Sequence, residues 1–389
     1  MQKFLNLTQF ALVAFWGRHK WKHLFLGGIY TLVVAFYASV VFFTGALQHQ
    51  TQDLLRDMPE LWVQRLLGGR LVPISEDVQE EVSRIRGVKQ SYARHWGYYY
   101  DDATGAVCTV WGTDTSLLGL DHLQLEAGIA GQLNDSSVVL GTGLLELRGL
   151  MVGDFITLPD SAGEGLSLRI VGAFSSASDL LTKDLLLVST TTARRVLGLP
   201  AGHSTDLALE IHNPREVAKV GQKIAERYPM LRVVSLAQLR ATYAALFGWR
   251  GGIFIFGAMI SVLAFLLLVW ERATGLSGQE KKELGILKGI GWQVQDVLAA
   301  KLIEGTLLAL TATLSGMLLA YWHVFGMGAP LLRPFLVGWS VLYPHYDLPP
   351  HLGLGDLLTI LFLSLIPYLT ATIFPAWRGA ITDPADAMR

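Results

Sequence analysis

The stretch SGQEKKELGILKGIGWQVQDVLAAKLIEG, Ser277 to Gly305, decides how the rest of the chain is read. It begins as a charged run, continues as an apolar-periodic segment punctuated by glycines, and ends with a glutamate inside an apolar run. Leu284, Leu287 and Ile290 recur at helical spacing with Ile286 beside them, while Lys281, Lys282, Glu283 and Lys288 supply charged surface. A helix of this kind can seat an apolar stripe in a groove of a partner protein. Gly285, Gly289 and Gly291 permit close backbone approach, although each costs up to ~1 kcal/mol of helix propensity. Tight packing accounts for that cost more readily than a free surface helix. An interfacial connector is the competing reading.

Working outward, 51% of the 389 residues are hydrophobic and 16% are charged, with a mean hydropathy of +0.40. Soluble domains carry about 25% charged residues, so much of this chain is expected to meet lipid. Four segments, Leu24–Leu47, Ile253–Trp270, Val297–Trp322 and Leu357–Phe374, approach the ~20 apolar residues a bilayer core requires. The third carries Lys301 and Glu304 near its start, which puts that end at the interface or inside protein. The fourth contains Pro367, tolerated in a membrane helix when neighbours satisfy the freed carbonyl. Basic residues gather before the first segment (Arg18, Lys20, Lys22), between the second and third (Arg272, Lys281, Lys282, Lys288) and after the fourth (Arg378, Arg389). The connection 323–356 holds only Arg333. Both termini and the middle loop are therefore expected in the cytoplasm, with the long segment 48–250 outside.

The first apolar segment is longer than the apolar region of a signal peptide and starts late, which favours an uncleaved anchor. Before it, Phe4, Leu7, Phe10, Ala11, Ala14 and Phe15 recur at helical spacing, as in an amphipathic helix on the membrane surface; an early start to the span is the alternative. In the external segment, SVVLGTG, DFITLPD, LSLRIVGAF and DLLLVS read as strands bounded by Gly, Asp, Ser and Pro. SEDVQEEVSRIRGV reads as a helix capped at Ser75, and NPREVAKVGQKIAERYP as one with Pro214 in its first turn. These suggest two lobes, about 54–171 and 172–236. The expected fold class is an α-helical membrane protein with four transmembrane helices plus a large α+β periplasmic domain. Its layout is an N-terminal helix (1–23), a first span (24–47), the external domain with its stalk (48–250) and a second span (251–270). A cytoplasmic loop (271–296), a third span (297–322), an external loop (323–356), a fourth span (357–375) and a tail (376–389) follow.

Catalytic chemistry is not legible. No G-x-x-x-x-G-K-[ST] phosphate loop occurs, and GTG at Gly141–Gly143 lacks a dinucleotide-binding context, so it reads as a turn. The ten histidines form no H-E-x-x-H pattern, and His345, Asp347 and His351 read as a Pro-rich loop before they read as a metal site. The single cysteine, Cys108, allows no internal disulfide and reads as a small buried hydrophobe. A net charge of −1 gives no case for nucleic acid. No catalytic residue, metal site or bound cofactor is therefore expected. Trp96, Tyr98, Tyr99 and Tyr100 form an aromatic run that reads either as a surface for substrate or as alternating strand burial. Glu304 is an intramembrane carboxylate, either paired or snorkelling.

The opening stretch resembles the coupling loop of permeases in the MacB/FtsX/LolC-LolE superfamily of ABC transporters, the type VII or mechanotransmission group. Glu283, Leu284, Gly285, Ile286, Leu287, Lys288, Ile290, Gly291 and Glu304 match its pattern, with Gly289 replacing the commoner alanine. VVLGTGLLELRGLMVGDFITL is similar to a segment of the same family's periplasmic core, through Gly141, Leu150, Val152, Gly153, Asp154, Ile156 and Leu158. IVGAFSSASDLLTKDLLLVSTTTARRVLG and the C-terminal PAWRGAITDPADAMR are similar to further family segments. The resemblance implies a permease with a MacB-like periplasmic core, paired with a second permease subunit and resting on two copies of a separate ATPase that bind ATP and Mg. Glu283, Leu284, Leu287, Lys288 and Ile290 would then meet the ATPase, and Glu304 would pair with Lys288 or Arg272. Gly153 and Asp154 read as a structural turn. The implied work is extraction or export of a lipoprotein, peptide or other amphipathic substrate, with a periplasmic carrier or adaptor and membrane lipid as further partners. An FtsX-like transmitter that activates a periplasmic hydrolase is the alternative, and a receptor without an ATPase is a third.

Overall fold

The computed structural model describes residues 20–56, 58–113, 125–128, 133–175, 178–247, 259–267, 270, 278–334, 342 and 348–381. The proposed amphipathic helix before residue 20 lies outside them, as do Arg272, His345, Asp347 and the last residues of the C-terminal motif. The chain divides into two compact units, one of Met1–Gln48, Leu246–Arg333 and Leu348–Arg389, the other of His49–Ala245 and Pro334–Asp347.

In the first unit three helices are long and apolar enough to cross a membrane: His23–Asp53, Val294–Gly326 and Leu354–Trp377. They carry the first, third and fourth apolar segments. Of the second, Ile253–Trp270, residues 259–267 and 270 are described, and all are helical. Each helix outruns its apolar core. The first runs Lys20–Leu54, its polar end carrying an i,i+4 pair between His49 and Asp53 at 2.8 Å.

Helix directions follow from the contacts. A Cβ at Gly27 would touch Leu308, and one at Gly316 would stand 2.9 Å from both the Thr31 carbonyl oxygen and the Val34 Cβ. Residue numbers rise together, so the Lys20–Leu54 and Val294–Tyr321 helices run parallel. Gly305 faces Thr372 and the Thr313 hydroxyl meets that of Ser364 at 3.1 Å, so Leu354–Ile381 runs antiparallel to Val294–Tyr321. Tyr30 and Tyr368 are fully buried and stacked at 4.9 Å, and the Tyr30 hydroxyl donates to the Ser364 carbonyl at 2.7 Å. Small residues at such crossings let backbones approach where lipid supplies no hydrophobic drive. Gly316→Val is therefore expected to destabilise this packing by about 1–3 kcal/mol. Thermal unfolding in detergent checks it against Gly28→Ala, whose added Cβ meets nothing within 4 Å.

The second unit is built on a mixed sheet. Its strands are β1 (Leu61–Leu67), β2 (Arg70–Val72), β4 (Val88–Asp101), β5 (Ala106–Gly112), β6 (Leu125–Gly128), β7 (Ser137–Leu140), β8 (Phe155–Pro159), β9 (Gly165–Phe174), β10 (Leu185–Val188), β12 (Asp206–Ile211) and β13 (Leu231–Ser235). They follow the order β13-β1-β12-β4-β5-β10-β7-β9-β6, with β2 on β1 and β8 on β9; β3 (Ile74–Ser75) and β11 (His203–Ser204) pair separately. The four strand-like runs read from sequence coincide with β7 to β10. The Ser75 hydroxyl accepts from the Asp77 amide at 3.4 Å and caps the Glu76–Ser83 helix, while Pro214 opens a 3-10 turn that leads into Val217–Arg227.

Two cores do not follow the chain in order. One gathers Leu61, Val63, Val82, Val88, Leu207, Leu209, Val220 and Ile224; the other gathers Cys108, Val110, Leu140, Leu144, Ile156, Leu186, Ala193 and Val196. The expected division into 54–171 and 172–236 is therefore replaced by an inserted arrangement. The reason is β12, which returns late in the chain to lie antiparallel between β1 and β4. β4 serves both halves: Val88–Arg94 pairs with β12 and His95–Asp101 with β5.

Asp101 closes that strand. Its carboxylate accepts from Arg148 Nε at 3.0 Å, from Arg148 Nη2 and from the Thr104 hydroxyl at 2.5 Å. Burial works to raise this carboxyl, yet the Arg148 and Thr104 hydrogen bonds hold it below its ordinary 3.8. A lowered folded value contributes stability above the ordinary carboxylate range that disappears as pH falls through it. Arg148→Met is expected to lower stability at neutral pH and to reduce this share of the acid sensitivity, since burial is then opposed only by the Thr104 and Ala103 hydrogen bonds. Melting curves of both chains across pH 3 to 7 check this. Cys108 lies fully inside the second core, and burial, with Asp101 and Asp184 nearby, pushes its thiol up to about 12.

Candidate functional site

The quoted stretch folds as a helix, Gly278–Gly289, a tight turn, and the long helix Val294–Tyr321. The turn needs Gly291, whose φ of +96° is a left-handed value that a side chain disfavours. Ile290, Gly291 and Trp292 amides close it onto the carbonyls of Ile286, Lys288 and Leu287 at 3.0–3.1 Å. Gln293 and Asp296 then form a reciprocal capping box at the start of the next helix.

Side chains within this hairpin face two ways. Leu287 packs with Trp292 and Val294 on buried Val297, so it anchors the hairpin to its own chain. Ile286 and Ile290 stand 57% and 70% exposed. They are one helical turn apart and share a face that also carries exposed Lys282. The apolar stripe read as Leu284, Leu287 and Ile290 is thus split: Leu287 points home, and Ile286 joins Ile290 outside. Gly285 is buried, Lys288 half-buried, Gly289 and Gly291 exposed. For Glu283 and Leu284 the described residues include the backbone only.

Glu304 is 13% exposed, and its Oε1 lies 3.0 Å from Nε2 of buried His23. Its Oε2 accepts from Lys301 Nζ at 2.8 Å. Pairing is what a carboxylate at that depth requires. Of the expected alternatives, Lys288 or Arg272, Arg272 lies outside the described residues; the carboxylate instead meets His23 and Lys301. His23 and Glu304 lie 281 positions apart in the sequence, and no local signal joins them. The contact ties the base of the first long helix to the base of Val294–Tyr321.

The aromatic run does not act as one surface. On β4, Tyr98 and Tyr100 are 71% and 58% exposed, and Trp96 shares their side of the strand, edge-on to Tyr98 at 5.8 Å. Tyr99 turns to the opposite face and packs on the Cys108 core. Trp96 donates from Nε1 to Asp206 at 3.1 Å. Asp154 is a turn residue, its carboxylate accepting from the Met151 amide at 2.8 Å. Among the described residues no group of three His, Cys, Asp or Glu side chains is placed to hold a metal.

The profile of the MacB-like periplasmic core domain matches residues 28–227, just over half of the 389. The chain belongs to the MacB-like family. It is a MacB/FtsX/LolC-type ABC permease chain, with a MacB-like α+β domain and apolar helices fit to hold it at a membrane. One relative of this permease is the lipoprotein-releasing system transmembrane protein LolC of Neisseria meningitidis serogroup B, 23% identical over 65% of this chain. The chain spans 64% of that relative's length. A second is the ABC transporter permease YknZ of Bacillus subtilis, 22% identical over 78% of this chain and 76% of YknZ. Among solved structures, the extracellular domain of YknZ from Gram-positive bacteria aligns with TM-score 0.33 and 13% identity, over 46% of this chain and all of that domain. The periplasmic region of MacB from Actinobacillus actinomycetemcomitans aligns with TM-score 0.34 and 9% identity, over 48% of this permease and 94% of that region.

Proposed function

We propose that this MacB-like permease is the membrane subunit of an ABC transporter whose separate ATPase, present in two copies with ATP and Mg, docks on Ile286 and Ile290. The observation that carries the reading is the pair of isoleucines left exposed on a helix that Leu287 anchors, through Val297, to the start of Val294–Tyr321. A helix fixed on one face and apolar on the other transmits a push instead of absorbing it. Motion would pass through the hairpin and the His23–Glu304–Lys301 contact to the external domain of a paired permease, extracting or exporting a lipoprotein, peptide or similar amphipathic molecule. The coupled two-state element is the pair of permeases, driven at one end and working at the other.

The same reading takes the membrane as the bacterial inner membrane, with termini and hairpin cytoplasmic and the MacB-like domain periplasmic. It includes a fourth span at Ile253–Trp270. Two parallel spanning helices, Lys20–Leu54 and Val294–Tyr321, require the chain to cross back between them, and that segment is the apolar candidate available. Within the span reading, no step of chemistry falls to this chain.

The test uses a spin label on exposed Lys219→Cys, in a Cys108→Ala background, in the permease purified with its ATPase. Trapping with ATP, Mg and vanadate is expected to shift the distance between the labels of the two permease copies. An unchanged distance distribution in a complex that turns over ATP would contradict transmission to the external domain.

A further inference from the structure

A cavity of about 420 Å³ opens in the external domain where β4 exchanges β12 for β5. That volume lies within the ~300–1,000 Å³ of small-ligand sites, which favour junctions between lobes. Both halves contribute walls: Glu76, Arg94 and Met58 from one side, His95, Trp111 and Arg194 from the other.

Arg94 is held rigidly. Its Nε and Nη2 donate to the fully buried Asp206 at 2.6 and 2.5 Å, and its guanidinium lies 5.8 Å from the Trp62 ring and 5.5 Å from the Trp111 ring. Trp96 donates to the same carboxylate. Asp206 is thereby occupied, whereas Arg94 still has Nη1 to offer. Arg194 donates to Glu76 through Nη2, yet its Nε is buried without an acceptor. Each guanidinium is thus paired with one carboxylate, Arg94 with Asp206 and Arg194 with Glu76, and what the lining offers is the donors left over, beside Trp111 and the side chain of Met58. Planar guanidinium forks suit carboxylates. The half-exposed Glu76 side chain links the two halves across the opening, through Arg194 and through His95 at 3.8 Å.

We propose that this cavity binds a carboxylate carried on a short apolar stem, the anion meeting Arg94 and Arg194 and the stem lying along Trp111 and Met58. The site is separate from the ATPase-facing hairpin, and the inference goes beyond the transport reading without resting on it. A ligand there contacts both halves of the domain at the one strand they share.

The experiment titrates the full-length permease in neutral detergent with 4-phenylbutyrate, its amide and inorganic phosphate, by ligand-observed NMR. Saturable binding of phenylbutyrate is expected, at least about tenfold tighter than the amide or phosphate. Arg194→Gln is expected to weaken it about tenfold, Arg194→Lys to keep most of it, and exposed Lys219→Gln to leave it unchanged. Melting temperatures confirm that each variant is folded; if Arg194→Gln is not, Arg194→Lys and the amide comparison decide. No saturable binding, equal binding of the amide, or a folded Arg194→Gln that binds like wild type would overturn the proposal. Phosphate binding as tightly as phenylbutyrate would overturn the apolar-stem part of it.

Discussion

Arg94→Met is expected to destabilise the external domain by about 3–5 kcal/mol, the cost of leaving a buried charge without its partner. Asp206 has no exposed surface, and Arg94 supplies two of the three hydrogen bonds its carboxylate accepts. Methionine keeps much of the stem that packs beside Trp62 and Trp111 but offers no donor. For a domain of this size that loss corresponds to a fall in Tm on the order of 10 °C. The double variant Arg94→Met/Asp206→Leu should recover much of it, because removing both members of a buried pair is often close to neutral. Recovery will be incomplete, since Trp96 Nε1 then loses its acceptor. Thermal unfolding of the full chain, followed on the external domain's transition for wild type, Arg94→Met, Asp206→Leu and the double variant, gives the four corners of the cycle. A single variant that melts with wild type would show that the pair is hydrated and contributes little.

How much of this could be read in advance depends on the distance over which each feature is encoded. The β7 to β10 strands and the Ser75 cap are local, written in short apolar runs, turn residues and one capping hydroxyl. The three apolar helices announce themselves by composition. The lobe boundary does not, because β12 is an apolar run like any other and its return between β1 and β4 is a long-range choice. The His23–Glu304 pair and the Arg94–Asp206 pair fail for the same reason. Each joins residues more than a hundred positions apart. A signal for the second did exist: Asp206 opens the strand DLALEI, where a carboxylate among buried residues calls for a cation. In the hairpin, spacing located the helix but misassigned its faces. Leu287 turned inward because Trp292, Val294 and Val297 follow the Gly291 turn and give it a core of its own, which periodicity within the helix alone does not register.

That assignment of faces sets the second large effect. Ile286→Glu/Ile290→Glu is expected to abolish ATPase capture while leaving the permease folded. Burying two isoleucines in a groove contributes about 3 kcal/mol or more, on the order of a hundredfold in affinity, and two glutamates add the cost of desolvating charge. Both positions are exposed in the free chain, so the change should not disturb its packing. Leu287→Glu must behave differently. It places a carboxylate against Val297 and is expected to lower the melting temperature of the membrane unit as well as to weaken docking.

Co-purification in mild detergent is the measurement that bears most directly on coupling through the Gly278–Gly289 helix. Wild-type permease is expected to bring down an ATPase with ATP turnover, and the folded, membrane-inserted Ile286→Glu/Ile290→Glu variant to bring down neither. Retention of the ATPase by that variant at the wild-type level would contradict the assignment and leave the helix a connector between two spans.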